Sequence, residues 1–543
     1  MHLGSEEVRT DKQSGINWRV LRRASSVLTK LATSALQQQL SIMAVLEIAL
    51  ALLAIIVLIY WWSIATFKTF EQRNLPFEKP YPFFGNMKRS ALQKISNHKE
   101  LTEFYSRTRH HKVVGFFSLR TPMVQINDPE LIKKICVKDF DYFPNHQLLI
   151  TTNERLLNDM VNTMRDQRWK KMRNTLTPVF TAAKMRSMFV LMNDSFGECV
   201  QHLGDQSQAT GFEVDVKVLF QKLTSDVIAT TAFGLKVNSF ENPKNEFYRV
   251  GSTLIFTRGI QFFKFTLSAL MPKLFTFFNM KIFDGAKVDY FVGLVVDAMK
   301  QREKLNISRP DMIQLMMEAK KESTVNWSDD EIVAQCFIFF FAALDNNTNL
   351  TCITAYELLH NPDIQQRLYE EILETKESLN GGPVTYDTVQ KMTYMDMVIS
   401  ETLRKWSLAP TTDRVCSKDY TLTDEDGTKL FDFKVGDRIS IPIAGLHGDD
   451  RYFPEPRKFD PERFSEERKG DMVPFTYLPF GAGPRSCIAS RFAQMQVKGM
   501  LYHLLLNYKI EESPRTIKDM WESARSFRLT PASGFYMQLV PRN

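Results

Sequence analysis

The chain reads as mainly α with a small β-rich lobe, preceded by one apolar helix long enough to cross a bilayer. Three observations predict this. Long stretches keep the apolar period of helices, and strand-like patterns are confined to Lys112–Gln125, Tyr420–Ile441 and Gly534–Val540. One apolar run, Ile42–Trp62, stands near the N-terminus. With 543 residues, 44% of them hydrophobic and 12% aromatic, the chain can bury a large core. It holds no internal repeat and no low-complexity tract. The six cysteines (Cys136, Cys199, Cys336, Cys352, Cys416, Cys487) lack paired spacing, which favours a reduced compartment over a disulfide framework. The net charge of +7 is modest, and no basic stripe with interleaved aromatics points to nucleic acid. No His/Cys cluster has zinc spacing.

From the N-terminus, four segments are expected: an extension over residues 1–41, an anchor over 42–62, a linker and proline-rich hinge over 63–86, and a catalytic domain over 87–543. The anchor is apolar except for Glu47 and ends on Tyr60, Trp61 and Trp62, aromatics suited to a membrane interface. Lys68, Arg73, Lys79, Lys88 and Arg89 follow it and place its C-terminal side in the cytosol. Arg19, Arg22, Arg23 and Lys30 oppose that orientation unless translation begins at Met43. From Asn17 to Ser41 no acidic residue occurs, so a mitochondrial address stands as the minority alternative to the endoplasmic reticulum. Pro76, Pro80, Pro82 and Gly85 exclude helix from the hinge.

Trp169 and Arg173, four residues apart, share one helix face; Arg168 and Lys171 lie on the other. Taken alone, this is an ordinary amphipathic basic helix. Residues 253–283 carry Phe256, Phe262, Phe263, Phe265, Phe275, Phe277, Phe278 and Phe283, more than one amphipathic face needs, although core packing is the default explanation. Ser328 with Glu331 forms a capping box, and helical pattern runs from there to His360, about 48 Å at the usual rise. A further helix spans Met392–Trp406, where Glu401 and Arg404 can pair across one turn. Such pairs are usually solvated, but this one is followed by Pro461, Glu462, Arg463 and Phe464.

The most informative run is Phe480, Gly481, Ala482, Gly483, Pro484, Arg485, Ser486, Cys487, Ile488 and Ala489. It sets one cysteine at the exit of a glycine-rich turn, just before the helix-competent run Phe492–Leu506. Nearby N–H groups and a helix N-terminus lower a thiol pKa, so Cys487 is expected to be a thiolate and a metal ligand. Arg485 can pair with an anion.

That run closely resembles the haem-binding loop of the cytochromes P-450, the haem-thiolate monooxygenases. Matching segments run in order over roughly residues 43–540, and the chain looks most similar to the microsomal type, in the insect branch related to vertebrate drug-metabolising enzymes. The resemblance implies the cytochrome P-450 fold, with haem b held by Cys487 as axial ligand. It implies Phe480 on the sulfur side of the haem, and Trp169, Arg173, Arg414 and Arg485 at the propionates. Glu401 and Arg404 would lock onto Arg463 as a structural network that braces the loop. Electrons would come from NADPH through a flavoprotein reductase docked near Arg168 and Lys171, with cytochrome b5 as a second donor. The substrate would be a lipophilic small molecule, xenobiotic or endogenous. The Phe-rich segment would form the pocket roof and touch membrane lipid, joined by the loop Asn145–Arg165, the helix face Phe341–Asp345, Leu408–Thr412 and the hairpin tip Pro531–Gly534.

Four positions depart from the family pattern. Ala489 replaces a usual glycine, Ser407 stands where relatives often carry proline, and the oxygen-activating helix differs most. There Ala343 replaces glycine, Asp345 keeps the acid, and Asn346 replaces the threonine that helps relay protons. An amide hydrogen-bonds but relays protons poorly, and Thr348 lies about 200° round the helix. Asp345 and Asn346 are therefore the candidate catalytic residues, and Asn346 reads first as a tolerated variant. Two other functions stay open: a haem-thiolate isomerase or dehydratase of lipid hydroperoxides, and a non-catalytic haem protein that sequesters lipophiles.

Overall fold

The computed structural model describes residues 18–147, 153–206, 210–253, 260–525, 529–531 and 533–542. It contains two compact units, Met1–Ala65 and Thr66–Asn543. In the first, helix α1 runs over Trp18–Ile64. It starts well before the Ile42 expected for the anchor because no glycine or proline interrupts the chain after Trp18. It is long and apolar enough to cross a membrane.

The second unit is helical with small sheets. Its strands are β1 (Val113–Ser118), β2 (Thr121–Ile126), β3 (Phe212–Asp215), β4 (Thr412–Val415), β5 (Tyr420–Thr423), β6 (Lys429–Phe433), β7 (Arg438–Ile441), β8 (Tyr508–Glu511) and β9 (Tyr536–Pro541). They form a four-stranded sheet in the order β1-β2-β7-β4, a three-stranded sheet β3-β9-β8 and the pair β5-β6. Only the β2–β7 pairing is parallel. The three strand regions read from sequence are present. Strands β3, β4 and β8 were not anticipated; at four residues each they are too short to display a period of two.

Five helices position the site: α2 (Asp166–Leu176), α3 (Ala182–Gln206), α4 (Val216–Ala232), α5 (Asp329–His360) and, after it, α6 (Thr393–Lys405). A last one, α7 (Ser490–Asn507), follows the glycine-rich loop. The expected capping box is formed: the Ser328 side chain accepts from the Glu331 N–H, and Glu331 accepts from the Ser328 N–H. Most of α5 is buried, so it runs through the core as a central shaft. Helix α7 packs on α3 at Gly499, where a Cβ would come within 2.4 Å of the Phe196 ring; only glycine permits that approach.

The proline-rich segment belongs to this globular unit. Phe70 and Leu75 are buried, and the Gly115 N–H donates to Pro76 O at 2.7 Å. It packs against β1, with a bridge between Phe77 and Gly115.

Candidate active site

A cavity of about 430 Å³ opens between α2, α5 and the loop that precedes α7. From α5 it is lined by Ile338, Ala342, Ala343, Asn346 and Leu350, spaced as one helix face. Trp169 and Arg173 border it from α2, and Phe480, Arg485, Cys487 and Ala489 from the loop. Residues that the sequence scatters over more than three hundred positions thus meet round one space.

The loop is shaped by its glycines. Gly481 and Gly483 hold φ of 76° and 70°, and a Cβ on Gly483 would lie 2.0 Å from Cys136 O. The Cys487 N–H donates to Phe480 O at 2.9 Å, closing the turn and turning the thiol toward the cavity. Cys487 is the exposed cysteine of the six, yet the surface it exposes borders the cavity and protein surrounds it. Burial pushes its thiol up, against the pull of the Ala489 N–H and of Arg173. This reverses the expected direction: enclosure outweighs the loop dipoles, so an added metal charge is what would bring the thiol to the thiolate.

Three guanidiniums crowd this end of the cavity. The Arg173 Nη1 donates to Ser486 O at 2.9 Å. Arg414 donates to Ala482 O at 2.9 Å and to Asp413 O at 2.6 Å, while its buried Nε has no hydrogen-bond partner. Arg414 is set beside the loop, not among the cavity-lining residues as expected of a haem contact. Arg485 stacks 3.8 Å over the Trp169 ring and donates to Pro144 O at 2.7 Å and Met164 O at 3.0 Å. Burial, and then Arg414 and Arg173, push Arg485 down to about 9; Asp413 and Asp166 offset part of this. Positive charge is therefore in excess here.

On α5, Asn346 is exposed to the cavity. The Thr348 hydroxyl is consumed by Leu344 O at 2.6 Å, deep in the helix packing. Asp345 is buried and accepts from Asn349 Nδ2 at 3.0 Å; it does not line the cavity, because one residue turns the helix by about 100°. Of the expected wall Phe341–Asp345, only Ala342 and Ala343 line the cavity. Of the other expected pocket walls, His146, Val161, Asn162, Leu408 and Thr412 take part. The described phenylalanines of 253–283 do not: Phe275 and Phe283 are buried elsewhere, and Phe263, Phe277 and Phe278 are exposed. Phe256 and the Phe262 side chain lie outside the described residues, as does Ala532 of the hairpin tip.

Below the loop, the Glu401 carboxylate is grasped by Arg404 at 2.6 and 2.7 Å. Arg463 approaches it at 3.5 Å and the Asp460 N–H donates to it at 3.0 Å. Arg404 also reaches His447 O and Pro456 O, each at 2.8 Å. His447 itself was not anticipated. Its Nε2 accepts from the Leu478 N–H at 2.7 Å, so its Nδ1 carries the proton and meets the Ser407 Oγ at 2.8 Å. Ser407, the departure from proline, thereby ties the end of α6 to the approach of the glycine-rich loop. No spacing in the sequence relates positions 407, 447 and 478. Arg168, by contrast, is not free for a partner: it is paired with Asp159 and Glu331, each at 2.7 Å.

A cavity-facing cysteine at a glycine-rich turn, a central helix across the cavity and a surplus of guanidiniums beside it describe the haem-thiolate enzymes as a class. The comparison with known proteins makes the assignment. The chain belongs to the cytochrome P450 family: the Cytochrome P450 profile matches residues 75–537. It is 72% identical to Cytochrome P450 9b2 of Drosophila melanogaster over 504 residues, covering 92% of this chain and 100% of that relative. It is 67% identical to Cytochrome P450 9b1 of the same fly, with the same coverage, and 43% identical to Probable cytochrome P450 9f2, covering 90% of this chain and 97% of that relative. The insect branch is thus established, and with it an enzyme of the monooxygenase class. The family implies haem held through a cysteine thiolate.

Proposed function

We propose that this is a membrane-anchored monooxygenase that oxidises a lipophilic small molecule with electrons from NADPH, passed on by a flavoprotein reductase. The observation that carries the reading is the convergence of Cys487, Arg173, Arg485 and Asn346 on one cavity of about 430 Å³. The donor set fits a haem. Cys487 would hold the iron, and the unpartnered Arg414 Nε and the mutually repelling Arg173, Arg414 and Arg485 suit the two carboxylates of its edge. Bound there, the haem supplies dioxygen activation and oxygen insertion into a C–H or C=C bond.

The chain's own residues do the rest. Trp169 stacks under Arg485 and holds its guanidinium at this end of the cavity, where it would meet the haem carboxylates. Phe339, Ala342 and Leu350 give the space apolar walls that exclude water and favour a lipophilic substrate. Asn346 offers an amide to the reacting end of the cavity, and Asp345 holds a buried carboxylate one residue away. The Glu401, Arg404 and Arg463 knot braces the loop that carries Cys487. The α1 helix suggests membrane anchoring. The endoplasmic reticulum, with the catalytic unit on its cytosolic face, fits the basic residues that follow α1; the mitochondrion is the alternative. Lys170 and Lys171 remain exposed on α2 for an acidic reductase surface, with cytochrome b5 as a further donor.

Asn346 favours one second reading, rearrangement of lipid hydroperoxides without external electrons, because no hydroxyl faces the cavity at that turn of α5. A two-armed turnover assay on haem-loaded protein separates the two. One arm supplies NADPH and reductase with apolar substrates; the other supplies lipid hydroperoxide and no donor. Product in the NADPH arm alone is the expected result. Efficient rearrangement in the hydroperoxide arm alone would overturn the monooxygenase reading.

A further inference from the structure

His447 is the junction between the Glu401 knot and the loop that presents Cys487. Its carbonyl accepts from Arg404 Nη1 at 2.8 Å, its Nδ1 meets Ser407 Oγ at 2.8 Å, and its Nε2 accepts from the Leu478 N–H at 2.7 Å. Ser407, His447 and Leu478 are all buried. Burial, and then the charge of Arg404, push the imidazole down to about 3, so it is neutral across the physiological range. A neutral imidazole has one donor and one acceptor. The Leu478 N–H takes the acceptor, which leaves Nδ1–H to donate to Ser407. The Ser407 hydroxyl in turn donates to Leu403 O at 3.4 Å. A proline at position 407 would offer no oxygen there, so the serine is what fixes this tautomer.

The residue that His447 holds is where the turn begins. Leu478 O accepts from the Gly481 N–H at 3.0 Å, and Phe480 O accepts from the Cys487 N–H at 2.9 Å. Between them stands Pro479, which has no N–H to hold the chain. One imidazole thus pins the first residue of a turn whose last hydrogen bond sets the cysteine. His447 itself does not line the cavity. Its neighbours do: Pro479 and Phe480 beyond Leu478, Leu408 directly after Ser407, and Ile443 one turn earlier on the short helix Ile443–His447. The imidazole joins these walls from behind.

A second clamp holds the same stretch in the fold. The Tyr477 hydroxyl donates to Ser400 O on α6 at 3.1 Å, and its ring stacks on the imidazole at 5.3 Å. The approach to the loop therefore stays anchored on α6 when the bond from His447 is removed.

We propose that His447 is a positioning residue for Cys487: through Leu478 it fixes where the glycine-rich turn begins, and through Ser407 it keeps the one tautomer able to do so. The inference rests on Cys487 as the haem ligand. Groups that orient a metal ligand from behind are commonly worth ten- to a hundredfold in affinity.

The test uses the full haem-loaded chain and three variants. H447Q sets an amide oxygen where Nε2 was and keeps the bond to Leu478; H447N is shorter and reaches only Ser407. S407A removes the partner of Nδ1–H alone. Three quantities are read: amide hydrogen exchange at Leu478 against the α5 core, the rate of haem loss to a scavenging apoprotein, and the rate at which the ferrous carbonyl complex loses its thiolate-type absorption band. In H447N the Leu478 amide should exchange faster, and both rates should rise by roughly tenfold, the factor for one buried hydrogen bond. H447Q should match the parent, and S407A should shift the same way by less. Damage in H447Q equal to that in H447N would make the effect one of packing and overturn the proposal. So would faster exchange at Leu478 with an undisturbed thiolate band, which leaves a structural tie only. Should H447N not fold, S407A decides: faster band loss with α5 still protected supports the proposal, and parental rates overturn it. A parent that shows no thiolate-type band would instead overturn Cys487 as the ligand and, with it, this role for His447.

Discussion

Two groups of buried and half-buried arginines, one round Glu401 and one round Cys487, are built differently. Around Glu401, Arg404 and Arg463 find a carboxylate, several backbone carbonyls and almost no solvent. Around Cys487, Arg173, Arg414 and Arg485 share no carboxylate of their own and lean on carbonyl oxygens while repelling one another. The first group is built round one carboxylate that both arginines share, with the Arg463 Nε left without a hydrogen-bond partner, and it serves the fold. The second has no such carboxylate among the described residues, and we propose that an anion from outside the chain completes it. Burial alone therefore does not tell a structural arginine from a binding one; the difference is whether a carboxylate comes with it.

The sharpest way to break the comparison is Glu401→Ala. It leaves Arg404 and Arg463 buried without their anion and should cost about 3–5 kcal/mol of stability, read by chemical denaturation of the globular unit. A smaller effect comes from acid. His447 is held near 3 and His98 near 4, mainly by burial, against an ordinary 6.5. The unfolded chain regains ordinary values and takes up protons that the folded one refuses. Stability is therefore full above about pH 6.5 and falls as pH drops toward about 4, by at most about 1.4 kcal/mol per unit for each histidine. His447→Gln should flatten that slope in denaturation midpoints measured across the window and leave the slope above neutrality unchanged.

Arg173→Met probes the incomplete group. Haem affinity should fall about tenfold, by direct titration, since one charge-assisted hydrogen bond is lost. The melting temperature of the haem-free protein should stay put, because only the Ser486 carbonyl loses a partner. Equal losses in both groups would erase the distinction between them. The smallest effect is expected at the solvent-facing Arg186–Asp387 pair, where Arg186→Ala should leave the melting temperature unchanged.

Much of this was legible in the chain before folding. The 32 residues of α5 were bounded correctly by the Ser328 cap and by Pro362. Helix α6 was placed within a residue at each end, spacing allowed Glu401 and Arg404 to pair, and the family resemblance implied that Arg463 joins them. Helix starts and stops are written in a few adjacent residues, so they survive in one dimension. Which residues of Phe341–Asp345 would line the cavity was not legible, for the complementary reason. A motif records that an acid precedes position 346, but a helix turns about 100° per residue, and packing decided which of the two would meet the cavity.

The sequence by itself determined the chemistry available: one cysteine at a strained glycine turn, one apolar helix, one acid followed by an amide on the central helix. These are local properties, fixed by residue type and spacing. Tertiary structure alone decided the rest: that burial would raise the Cys487 thiol, that His447 would join Ser407 to Leu478, and that Arg168 would be spent on Asp159 and Glu331. Each depends on distances between residues far apart in the chain, and in a low-dielectric interior those distances set the energies.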